Sequence, residues 1–153
     1  MPRRVPQVTV RHLFTARTAR PKLEATLRAL VQAAVYLASA DGKVEEPEIE
    51  TLVDDLRAVM ARSVGMENLD EYAKVSTLLD EARMAVQALA THGPDEFVAG
   101  LAAVLEGDFR RDALKLALDV VRANGTISDP EVRALETLAK ALGVPAADVL
   151  EKL

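Results

Sequence analysis

A ten-residue pattern occurs twice in this chain, and it limits the possible folds more than any other feature. Shifting the sequence by 83 positions lays Ala40-Asp41-Gly42-Lys43-Val44-Glu45-Glu46-Pro47-Glu48-Ile49 on Ala123-Asn124-Gly125-Thr126-Ile127-Ser128-Asp129-Pro130-Glu131-Val132. Ala, Gly, Pro and Glu are identical in the two copies, and Leu52 falls on Leu135 beyond them. A pattern that recurs at a fixed interval marks a repeated structural unit. The residues around each copy define that unit as helix, tight loop, helix.

The helices are read from apolar spacing. Before the first loop, Leu23, Leu27, Leu30, Val31, Ala34 and Leu37 recur at helical intervals, and only Glu24, Arg28 and Gln32 form a polar stripe. Before the second loop, the helix expected from Asp108 to Ala123 again has a single polar stripe, Arg111, Lys115, Asp119 and Arg122. Helices with so little polar face belong at the centre of a bundle. After the first loop, Ile49, Leu52, Val53, Leu56 and Met60 define an amphipathic helix expected to pack back on the first, and Val132, Leu135, Leu138 and Leu142 define its counterpart. Between the units, Tyr72, Val75, Leu79, Ala82, Val86 and Leu89 predict a long helix ended by His92-Gly93-Pro94, and Phe97, Leu101, Val104 and Leu105 predict a short one. Gly143 ends the sixth helix, and Pro145 opens a last one carrying Val149, Leu150 and Leu153. The expectation is an all-α bundle of about seven helices with an internal two-fold repeat, spanning residues 22–153.

Composition agrees with helices. Half of the 153 residues are apolar, but only 3% are aromatic and Trp is absent, so Leu, Val and Ala must build the core. Cys is absent, which excludes disulfides, thiolate nucleophiles and thiolate metal sites. No apolar run reaches the length of a membrane span, and the first residues lack the apolar stretch of a secretion signal, so the chain reads as cytoplasmic. The two histidines, His12 and His92, lie far apart in sequence, and there is no nucleophile elbow or phosphate-cradling loop. The expectation is a protein that is not an enzyme.

Within each loop Gly42 or Gly125 supplies a left-handed conformation that turns the chain, and Val44 or Ile127 is an apolar plug. Ser128-Asp129-Pro130-Glu131 spells a capping box, and Glu45 replaces Ser in the first copy. Asp41 is less easily explained. An acid at a helix C-terminus opposes the helix dipole, and Glu45, Glu46, Glu48 and Glu50 follow it closely with only Lys43 to offset them. Two readings stand: a capped structural turn, which loop chemistry favours, and a site for Ca²⁺ or another divalent cation at Asp41, Glu45 and Glu48. Asn124, Asp129 and Glu131 are the corresponding candidates in the second loop, which is poorer in carboxylates. The loop lacks the ligand spacing of an EF-hand.

Residues 1–21 form a separate basic arm. The first 22 residues carry six Lys and Arg and no acid, which leaves 13 basic against 24 acidic side chains in the remainder. Arg3, Arg4 and Arg11 alternate with Val8, Val10, Leu13 and Phe14, so the arm is a candidate protein-docking element, either solvated when free or packed on an acidic face of the body. An acidic body and little aromatic interleaving speak against nucleic acid as the partner.

The two loop motifs, Ala40-Asp41-Gly42-x-Val44-x-x-x-Glu48 and Ala123-Asn124-Gly125-x-Ile127-x-x-x-Glu131, together with Leu138-Ala139-x-x-Leu142-Gly143-Val144, resemble the tellurite-resistance TerB family, whose domain is shared by DjlA-type co-chaperones. The resemblance implies a helical bundle of about seven helices with pseudo-twofold halves and no catalytic activity. It also implies acidic patches linked to divalent metal, and a stress-response role exerted through protein partners, including membrane-associated complexes. Asn124 departs from the Asp common in the family, and Pro47 and Pro130 stand within the expected helix starts. A docking adaptor that works through its basic arm without metal is the alternative function.

Overall fold

The computed structural model describes residues 20–42, 44–64, 74–105, 107, 109–123, 127–145 and 147. Within them the chain forms α1 (Arg20–Ala38), a 3-10 turn (Ser39–Asp41), α2 (Glu46–Val64), α3 (Val75–His92), α4 (Pro94–Val104), α5 (Phe109–Arg122) and α6 (Asp129–Leu142), with no strand among the described residues. The expected seventh helix after Pro145 falls almost entirely outside the described residues. Helix α1 begins two residues before the Lys22 expected from the sequence.

Helices α1 and α5 are central, as their narrow polar stripes predict. In α1 the residues Leu27, Leu30, Val31, Ala33, Ala34, Val35 and Leu37 are buried, with Arg28 left at the surface. In α5, Ala113, Leu114, Leu116, Ala117, Leu118, Val120 and Val121 are buried. These two helices form the most extensive pairing in the molecule, and α3, α4 and α6 also pack on α1. Tyr36 of α1 stacks on Phe97 of α4, with ring centroids 6.3 Å apart. Burial, the nearby Asp95 carboxylate and a weaker opposing hydrogen bond with Thr137 leave the Tyr36 phenol with a raised pKa.

Two expectations about packing are corrected. Helix α2 buries Ile49, Leu52, Val53, Leu56 and Met60 as its spacing demands, but it lies on α5 and α3 and only brushes α1. The surface of α1 is shared by α5, α3, α4 and α6, so the apolar stripe of α2 covers the other two helices instead. Helix α3 buries Leu78, Ala82 and Ala85; Leu79, Val86 and Leu89 are half-buried and Val75 is exposed. Leu79, Val86 and Leu89 still pack against the core, while Leu78 and Ala85 join the expected Ala82 inside it, so the inner face of α3 is turned toward them. In α4, Phe97, Leu101 and Leu105 are buried as expected, Val98 joins them and Val104 is exposed.

The helix ends follow local rules. Gly93, at φ +85°, donates to the Leu89 carbonyl and stops α3, and Pro94 then opens α4 where a backbone N–H has no helical partner to lose. Gly143, in the left-handed conformation, closes α6. Arg110 gathers three helix-end carbonyls at once: Nε donates to Leu105 (2.7 Å), Nη2 to Ala102 (2.8 Å) and Nη1 to Leu142 (3.0 Å). One guanidinium thereby satisfies orphan carbonyls at the C-termini of α4 and α6 and joins both ends to α5.

Candidate functional site

The two loops meet. The C-terminal ends of α1 and α5 lie side by side at a cavity of about 550 Å³ lined by Ala38, Val120 and Val121 from these helices. The first loop adds Asp41, Gly42 and Val44, and the following helix adds Pro47, Glu48, Thr51 and Leu52. From the second unit Glu131 reaches the same space. Ala38, Val44, Leu52, Val120 and Val121 give the cavity an apolar floor. Among the described residues, its charged lining consists of Asp41, Glu48 and Glu131, which come from both copies of the repeat.

Local chemistry fixes each wall. Gly42, at φ +143° and ψ −155°, lies in a region that side-chain-bearing residues rarely enter, and its N–H closes the 3-10 turn on Ser39. This is an extended positive-φ conformation, whereas the sequence predicted a left-handed one. The turn then drops Val44 into the core, 8% exposed. Pro47 and Pro130 are the second residues of α2 and α6, where the missing N–H costs no helical hydrogen bond. The capping box forms in full at α6: the Glu131 N–H donates to Ser128 Oγ (3.2 Å), and the Ser128 N–H donates to Glu131 Oε1 (2.9 Å). At α2 only half of it is present, as the Glu45 N–H donates to Glu48 Oε1 at 3.4 Å.

The hydroxyl of Ser128 connects the two units. While its lone pairs accept the Glu131 N–H, its proton goes to Asp41 Oδ1 at 2.5 Å, across 87 positions of sequence. This contact explains why Asp41 is tolerated at the end of α1. The carboxylate that opposes the α1 dipole sits at the N-terminus of α6, where a helix favours negative charge.

Other acids of the cluster are also engaged within the protein. Arg83 of α3 donates to Glu46 Oε1 from Nε (2.8 Å) and Nη2 (2.5 Å), and this hydrogen bond, with the charge of Arg83, holds the Glu46 carboxyl below its usual pKa. Glu131 is held by the cap and is 8% exposed.

Of the predicted cation ligands, the structure brings Asp41, Glu48 and Glu131 to one cavity. Glu45 and Asp129 are exposed and do not line it. Asn124 lies outside the described residues, as do Arg3, Arg4, Val8, Val10, Arg11, Leu13 and Phe14 of the arm. Among the described residues no three Asp, Glu or His side chains are grouped so as to hold a metal ion.

Sequence reasoning missed the apolar floor and the bridging role of Ser128. The available signal was the shared register of the loops: each follows one of the two most apolar helices, and pairing those helices side by side brings the two repeat units together. No helix among the described residues is long and apolar enough to cross a membrane. Comparison with known protein families, with curated proteins and with solved structures finds no match to this chain. The class defined by its own architecture is an all-helical bundle.

Proposed function

We propose that this protein is a non-catalytic interaction module of the TerB-like type, and that its working surface is the acidic cavity between the two loops. Its ligand is a positively charged segment of a partner protein. The observation that carries this reading is the convergence of Asp41, Glu48 and Glu131, from both copies of the repeat, around one cavity with an apolar floor. Carboxylates around an apolar recess suit an Arg or Lys side chain, whose stem packs on the floor while its head meets the acids. The stress-response role, of the tellurite-resistance kind, is part of the proposal through the loop motifs.

The test is a titration of the full chain with a tetra-arginine peptide, followed by amide NMR. Saturable shifts are expected at Gly42, Val44 and Thr51, weakened by Asp41→Asn and Glu48→Gln. Parallel titrations with Ca²⁺ and Mg²⁺ should give no more than matched NaCl does. A peptide without effect on these amides, both here and in a full chain carrying Arg3→Gln, Arg4→Gln and Arg11→Gln, overturns the cavity reading. Saturable ion binding that Asp41→Ala abolishes would replace it with the cation site anticipated from the sequence.

A further inference from the structure

We infer that the cavity's resident ligand is the protein's own N-terminal arm, and that residues 3–11 are the part that occupies it. This rests on the reading of the cavity as a site for positively charged segments, and it names the segment.

The first argument is charge. Residues 1–19 contain Arg3, Arg4, Arg11 and Arg17 and no acid, and the charged residues that line the cavity, among the described residues, are acidic. The exposed Glu45 stands next in sequence to the lining residue Val44. The apolar floor has its counterpart in Val5, Val8 and Val10, which are interleaved with those arginines.

The second argument is reach. The cavity lies at the C-terminal end of α1, and the arm joins α1 at its N-terminal end. The 19 residues of α1 separate these points by about 28 Å. An extended chain covers about 3.3 Å per residue, so nine residues from Arg20 back to Arg11 span about 30 Å. Arg11 and the residues before it reach the cavity, whereas Leu13 and Phe14 fall short. The arm thus divides into an occupying part, with Arg3, Arg4, Val8 and Val10, and a spanning part that includes Leu13 and Phe14.

The third argument is tethering. A segment attached by a short linker meets its site at an effective concentration on the order of millimolar, so even weak affinity fills the cavity ahead of a dilute competitor. An outside segment must then displace the arm before it binds.

The absence of Cys allows a clean test in the full chain, because Thr9→Cys creates a unique attachment point for a nitroxide label. With the label oxidised, the amides of Gly42, Val44 and Thr51 should lose most of their NMR intensity, and Asp41→Asn with Glu48→Gln should restore it. Full intensity at those amides overturns the inference. So does broadening seen only when labelled chains are mixed with unlabelled, isotope-enriched ones, since the occupant would then be a second copy's arm. The tetra-arginine titration, repeated on the full chain carrying Arg3→Gln, Arg4→Gln and Arg11→Gln, separates the two proposals. Peptide binding there without label broadening overturns only the arm; no peptide binding overturns the cavity reading as well.

Discussion

Ser128 performs two tasks with one hydroxyl. It caps α6 and it neutralises the poor position of Asp41 at the end of α1. Loss of an N-cap hydroxyl costs about 1 kcal/mol, and here it also leaves Asp41 without its donor. Ser128→Ala and Asp41→Asn should therefore be non-additive in chemical denaturation, the second change costing less once the first has been made. Additive costs would mean that the contact contributes nothing. Asp55 presents the opposite case. Its Oδ2 is buried without a hydrogen-bond partner, and burial, followed by the adjacent Asp54, raises its pKa. A carboxyl whose pKa is raised by folding destabilises the native state where it is ionised, and the penalty disappears as pH falls below the unfolded value of about 3.9. Asp55→Asn should raise the melting temperature at neutral pH, with a gain that shrinks toward zero near pH 3.

Among the elements, the ends of α4 and α6 depend on a side chain from a third helix. The fork of Arg110 reaches Ala102, Leu105 and Leu142 because a guanidinium presents several donors in one plane. A lysine offers a single ammonium on a flexible stem and cannot meet three separated carbonyls. Arg110→Lys should cost about 1–3 kcal/mol in urea denaturation, and a loss within error would show that water replaces the fork. Nothing in the sequence marks this role, since a lone Arg near a helix start resembles any surface cation. The faces of α1, α2 and α5 were legible because each has a wide apolar stripe, and in α4 the expected Phe97, Leu101 and Leu105 are buried. The inner edge of α3 was less legible, because its alanines satisfy an inner or an outer position equally well, and only the packed neighbours decide between Leu78 and Leu79.

At the scale of the whole molecule, the helical class and the two central helices could be read directly from polar stripes and an aromatic-poor composition. The candidate site could be read only in part. The acids of the first loop stood out, but their meaning depended on which neighbours would meet them. In the fold, Arg83 reaches Glu46 from α3, and Ser128 reaches Asp41 from the second unit. Neither partner lies near its acid in sequence, so the loop alone could not show that the assembled protein supplies donors to these two acids. What remains open to a ligand is the side of Asp41, Glu48 and Glu131 that faces the cavity, and the two titrations above address that side.

The bond between Asp41 and Ser128 also bears on how the molecule assembles. Its two residues are far apart along the chain, and closing so large a loop costs entropy before the contact returns anything. Each helical unit can form from local contacts, but the wall they share exists only after α1 and α5 have docked. The cavity is thus a property of the docked molecule, not of either unit. A nascent or partly unfolded chain has the acids of both loops, but no recess that gathers them.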